Sequence, residues 1–133
     1  MKFLFDNNLP PSLAQAMAAL CEHEDVEVVH LRDRFAENTT DTEWIKALSK
    51  EGNWAVISID RFKKSPLEKE ALRRSGLTAF ILVKGWSDHK YWEKAAQLVR
   101  WWPRIMEQAE LVQPGAVFEV PWNFSGKGKF RQR

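Results

Sequence analysis

Three aspartates stand where an apolar run ends or a helix begins. Asp6 closes "KFLFD", Asp60 closes "WAVISID", and Asp41 opens "DTEWIKALSKEG". An acid just past a strand tip faces the crevice in which open α/β sheets bind ligands. Two carboxylates at the tips of adjacent strands repel unless a cation sits between them or one keeps its proton. Acids clustered this way therefore point to a metal. Oxygen ligands without Cys or His favour Mg²⁺ or Mn²⁺ over zinc. Such an ion beside an open position suits phosphodiester hydrolysis, because it acidifies a bound water and offsets charge on the phosphate. Glu43, two residues past Asp41, is a further acid for the set. Asn7 and Asn8 are placed to hydrogen-bond the ligands or their water.

Each acid also has an architectural reading. Thr40-Asp41-Thr42-Glu43 fits a capping box, and an acid in a helix's first turn is favoured by the dipole. Asp6 and Asp60 both suit Asx turns. Singly these residues leave both readings open, and together at one sheet edge they favour the metal. Phosphate also needs cations. Arg61, Lys63 and Lys64 directly follow Asp60, Arg32 and Arg34 follow the second strand, and Arg73 and Arg74 lie one helix further on. These positions could grip a nucleic-acid backbone, or they are solvated surface.

The elements that would position these residues alternate along the chain. "KFLF" reads as a buried strand and "PSLAQAMAAL" as a helix begun by proline, with Leu13, Met17 and Leu20 inward. "VEVVHL" (26–31) is a second strand and "RDRFAENTT" a loop. "DTEWIKALSKEG" is a helix with Trp44, Ile45 and Leu48 inward, ending near Gly52. "WAVISI" (54–59) is a third strand, residues 65–76 a helix, and "LTAFILV" (77–83) a fourth strand. "HKYWEKAAQLVRWW" (89–102) is an amphipathic helix with Trp92, Ala95, Ala96, Val99 and Trp102 on one stripe, kinked or ended by Pro103. "AVFEV" (116–120) is a fifth strand. The expectation is an α/β fold with a mainly parallel sheet of four to five strands, covered on both faces. Right-handed crossovers then bring the C-terminal ends of the strands to one rim.

Composition sets the bounds. A chain of 133 residues with 44% hydrophobic and 29% charged residues suits one ordinary globular domain. No apolar run approaches the ~20 residues a membrane span needs, and the opening strand lacks a leader-like pattern. Cys21 is the sole cysteine, which excludes an intrachain disulfide and makes the cytoplasm the simplest compartment. His23, His30 and His89 lack the helical spacing of zinc ligands. Net charge is only +2, yet residues 123–133 hold Lys127, Lys129, Arg131 and Arg133 and no acid. The expected division is a domain over 1–122 and a basic tail over 123–133, which touches nucleic acid or an acidic partner, or else frays. Of seven tryptophans, Trp86, Trp101 and Trp122 have no evident core position; exposed, they would suit an interface or base stacking, but burial in the core is the favoured reading because tryptophan's area is valuable to a small domain.

"FLFDNNLP", "TDTEWIKAL" and "VISIDRFKK", in that order, resemble the PIN-like nuclease domains, closest to the short VapC-type toxins of toxin–antitoxin pairs. "GLTAFILVKGW" and "WEKAAQLVRWWPRI" are similar to one branch of those short forms. The resemblance implies a three-layer α/β/α sandwich and a Mg²⁺-dependent ribonuclease site. Asp6, Asp41 and Asp60 match the family's metal-holding acids. RNA would be the substrate and a protein antitoxin the partner, and a homodimer is compatible with it. Fuller members carry another acid on a helix ahead of the position matched by Asp41. The interval here is only "RDRFAENTT", so Glu43, or Asp33 or Glu37 in the loop, would substitute. Two other classes compete. A receiver-like phosphoacceptor domain would use Asp60 as acceptor and Lys84 as its lysine. It would want paired acids where this chain has Asp6-Asn7, and a small hydroxyl residue where it has Val83-Lys84. A non-catalytic PIN-like module would bind a partner through tryptophans and the basic tail.

Overall fold

A computed structural model describes residues 1–59, 66–112 and 114–133. The chain alternates β1 (Lys2–Phe5), α1 (Pro11–Leu20), β2 (Glu27–His30), α2 (Leu31–Arg34), α3 (Asp41–Glu51) and β3 (Trp54–Ile59). It continues with α4 (Pro66–Ser75), β4 (Thr78–Leu82), a 3₁₀ turn (Trp86–Asp88), α5 (Tyr91–Leu111), β5 (Val117–Val120) and β6 (Arg131–Gln132). One sheet holds the six strands in the order β2-β1-β3-β4-β5-β6. The first five pair in parallel and β6 pairs antiparallel with β5.

Side chains of a strand alternate between faces, and here both faces are apolar. Phe3, Phe5, Ala55, Ile57, Phe80 and Leu82 meet α1 and α5 on one side. Leu4, Val56, Ala79 and Ile81 meet Trp44, Ile45, Leu48 and Leu72 of α3 and α4 on the other. The result is the expected α/β/α sandwich. Among the described residues, no helix is long and apolar enough to cross a membrane.

Several local readings are corrected. Among the described residues the sheet has six strands, because the basic tail supplies the last. The second strand stops at His30, and Leu31–Arg34 forms one helical turn where a loop was expected, nucleated by the His30 ring accepting from the Arg32 N–H. Leu20 is exposed at the end of α1. The buried face of α5 is Leu98, Trp101, Trp102, Ile105 and Ala109, so the helix is rotated from the expected phase and Trp92 and Val99 point outward. Pro103 does not end this helix. It removes one N–H, and the carbonyl so released belongs to exposed Val99, where water can satisfy it. The favoured core reading does hold for Trp86 and Trp101, with 1% and 0% exposure, and Trp86 Nε1 donates to the Val120 carbonyl at 2.9 Å.

The tail is docked onto the sandwich. Phe124 and Phe130 lie against Trp101 with ring centroids 4.7 and 5.3 Å away. Arg104 stacks on Phe130 at 4.7 Å and donates to the Gly128 carbonyl at 2.9 Å. Gly128 has φ +88°, and a Cβ there would sit 2.8 Å from the Phe124 ring. The turn therefore needs glycine on both counts.

Candidate functional site

β1 lies between β2 and β3, and the chain turns to opposite sides of it in its first two crossovers. That topological switch point opens a crevice at the strands' C-terminal ends, where ligands of such sheets bind. Asp6 is the first residue past β1 on that rim. Its N–H donates to the Ile57 carbonyl at 2.9 Å, which carries the β1–β3 ladder one residue beyond the strand. Asp6 has the parity of Leu4, so its side chain falls on the α3 face of the sheet.

The carboxylate of Asp6 is fully buried. Oδ1 accepts from the Asn7 N–H at 2.7 Å, and Oδ2 accepts from the Ser58 hydroxyl at 2.8 Å. Ser58, equally buried, in turn accepts from Asn8 Nδ2 at 3.1 Å. Asn8 also imitates a strand. Its amide donates to the Ile59 carbonyl at 2.8 Å and accepts from the Ile59 N–H at 3.2 Å. The end of β3, immediately before Asp60, is thus clamped by the turn that follows β1.

A second brace comes from His30, opposite Phe5 in the sheet and fully buried. Nδ1 accepts from the Arg32 N–H at 3.2 Å, so Nε2 carries the proton and donates to the Leu9 carbonyl at 2.7 Å. The Leu9 N–H donates to the Asp6 carbonyl at 3.0 Å and closes the turn. Arg32 reaches the same turn, with Nε donating to Asn7 Oδ1 at 3.2 Å. The described bonds of Asn7 and Asn8 therefore hold the protein's own loop, strand end and guanidinium.

Asp41 begins α3, half-buried, and its Oδ1 accepts from Trp44 Nε1 at 3.0 Å. Trp44 packs in the cluster containing Leu4 and Val56, so this bond ties the helix start to the face of the sheet that Asp6 occupies. Glu43 is exposed and closes a capping box. It accepts from the Thr40 N–H at 3.2 Å, while its own N–H donates to Thr40 Oγ1 at 3.2 Å. Asp33 on α2 and Glu37 beyond it are exposed. Asp60, Arg61, Lys63 and Lys64 lie outside the described residues. Among the described residues, no three His, Cys, Asp or Glu side chains form a metal-holding group.

The donor chemistry of this corner still fits a hard cation. Carboxylate, hydroxyl and amide oxygens supply it, while both ring nitrogens of His30 are engaged and Cys21 lies in the opposite layer, bonded by Trp102 Nε1 at 3.1 Å. The other expected cations are drawn to local acids. Arg34 pairs with Glu51 and stacks on Trp54, and Arg73 and Arg74 pair with Glu70 at 2.9 and 2.7 Å. Hydrogen bonds from Arg73, then Arg74, hold the Glu70 carboxyl below the usual range.

Two positioning residues escaped the sequence reading. Ser58 was visible as the single hydroxyl in an otherwise apolar strand. His30 carried a weaker signal, a polar ring closing a β-branched run.

The profile of one protein family, described as PIN like domain, matches residues 1–84. That segment contains the switch point and the positions of all three aspartates. No curated protein matches the chain, and no solved structure does. With more than half of its length matched by that profile, the chain belongs to the PIN-like domain family.

Proposed function

We propose that this PIN-like domain is a metal-dependent ribonuclease, the toxin of a toxin–antitoxin pair. Asp6, Asp41 and Asp60 would hold Mg²⁺ or Mn²⁺, with Glu43 as an outlying fourth acid. The observation that carries the reading is Asp6, a fully buried carboxylate at the sheet's switch point, gripped by donors from two segments of chain. An isolated turn aspartate has no need of such a setting. The bound ion would supply an acidified water and neutralise charge on the phosphodiester. The chain's own residues do the positioning. Ser58 sets the carboxylate plane of Asp6, Asn8 fixes the end of β3 and with it the backbone entering Asp60, and His30 braces the turn. Arg32, Arg61, Lys63 and Lys64 are the cations available to an RNA backbone.

The test is cleavage of short single-stranded RNAs in Mg²⁺ or Mn²⁺, with Asp6→Asn and Asp60→Asn beside the native chain. Activity should vanish in chelator and fall by about 100-fold or more in each variant. Independently of activity, Mn²⁺ should raise the melting temperature of the native protein and leave that of Asp60→Asn unmoved. Undiminished cleavage by either variant would sink the proposal.

The strand order favours one competing reading, since receiver domains place their phosphoacceptor at the same switch point. Transfer of a phosphoryl group to Asp60 from a small donor, without RNA cleavage, would establish that alternative.

A further inference from the structure

Arg32 is held at both ends beside the turn that starts at Asp6. Its backbone N–H donates to His30 Nδ1 at 3.2 Å, and its side-chain Nε donates to Asn7 Oδ1 at 3.2 Å. Asn7 in turn gives its own N–H to Asp6 Oδ1 at 2.7 Å. One residue thus holds the buried carboxylate with its backbone and a guanidinium with its side chain. Leu31 is buried with Leu4 and Trp44, so α2 packs on the face of the sheet where the Asp6 side chain falls.

Arg34, Arg73, Arg74, Arg104 and Arg133 each pair with a glutamate. Arg32 is exposed, and among the described residues no acid pairs with it. A carboxylate at position 7 would fix this guanidinium and cancel its charge. The neutral amide of Asn7 engages Nε alone, and leaves the charge and the terminal N–H groups for a second partner. Holding a long exposed side chain costs rotamer entropy, which no ion pair of the described fold offsets. An arginine so placed is preset for an anion that presents two oxygens together, as a phosphodiester does.

We infer that, given the ribonuclease reading on which this rests, Arg32 grips the reacting phosphate itself through paired N–H groups to its non-bridging oxygens. Asn7 is the positioning residue that aims it. In the hydrolysis a water oxygen bonds to phosphorus as the bond to the leaving ribose oxygen breaks. One proton of that water ends on the departing oxygen and the other on the new phosphate monoester. Negative charge gathers on the non-bridging oxygens in between, and a guanidinium already in place stabilises it without reorganising. His30 serves the same end, since its ring fixes the helical turn from which Arg32 projects.

Steady-state cleavage of a short single-stranded RNA in Mn²⁺ tests it. Arg32→Ala should lower kcat by about 100-fold with KM nearly unchanged, and should keep the native melting temperature. Arg32→Lys should stay well below native, because an ammonium cannot make the paired bonds. Guanidinium ion added below denaturing concentration should partly restore Arg32→Ala and leave Asp6→Asn inactive. Asn7→Ala should cost about 10-fold alone and nothing further on top of Arg32→Ala, since both changes remove one interaction. Arg34→Ala, on the same helical turn, should keep the native kcat. Native kcat in Arg32→Ala beside an inactive Asp6→Asn overturns the inference and leaves the ribonuclease reading standing. So does a rise in KM alone, which marks backbone binding, or an equal loss in Arg34→Ala, which marks a general field. Independent, multiplying losses from Asn7→Ala and Arg32→Ala overturn the role of Asn7. A native chain that cleaves no RNA overturns the ribonuclease reading and this inference together.

Discussion

Asp6 shows how much structure one functional side chain requires. Removing its carboxylate from water is unfavourable unless donors replace the water, and Asn7 and Ser58 do so from two different segments. Ser58→Ala therefore leaves an acceptor oxygen buried without that donor. The expected cost is about 1–3 kcal/mol of stability, read as a lower urea midpoint, together with slower RNA cleavage. If both the midpoint and the cleavage rate stay at native values, Ser58 does not position Asp6. Asn8 shows the same logic for the backbone, since its amide takes the place of a strand residue opposite Ile59.

At the level of elements, α3 separates architecture from chemistry. Thr40 and Glu43 close its first turn, whereas Asp41 is bonded to Trp44 and projects from the same turn. Thr40→Ala should cost about 1 kcal/mol through the lost cap. Asp41→Asn keeps an oxygen that can accept from Trp44 Nε1, so its melting temperature should stay near native while Mn²⁺-dependent cleavage falls. Thermal melts and initial rates on the two variants check this pair. A stable Asp41→Asn with full activity would reduce Asp41 to a helix-start residue. The helix α5 gives a related lesson, because Pro103 is tolerated where the carbonyl it orphans faces solvent.

At the level of the whole molecule, the last strand and its aromatic anchors close one edge of the sheet. Phe130 touches Trp101, Phe80 and Phe118 and carries the Arg104 guanidinium on its face. Phe130→Ala should destabilise the domain by about 2 kcal/mol from lost apolar burial, lowering the melting temperature by several degrees. A chain ending at Trp122 should be less stable still. Unchanged melting of both would mean that the tail contributes nothing to the fold. All four cations of this segment, Lys127, Lys129, Arg131 and Arg133, are exposed, so the surface stays basic although the backbone beneath it is pinned.

The layered architecture was legible from local pattern, since apolar runs of four to six residues between amphipathic stretches admit few arrangements other than a covered parallel sheet. The first strand, the capping box at Thr40 and the glycine at the end of α3 could be read one residue at a time, because each depends on neighbours in sequence. The phase of α5, the places of Trp86 and Trp101 within the core and the docking of the tail could not. They depend on which face of a helix finds Phe80, Phe118 and Phe130, residues distant along the chain. Likewise the strand-tip position of Asp6 was visible, but its partners were not. Hydrogen bonds to Ser58, and from His30 to Leu9, exist only once parallel strands have brought their ends to a common rim.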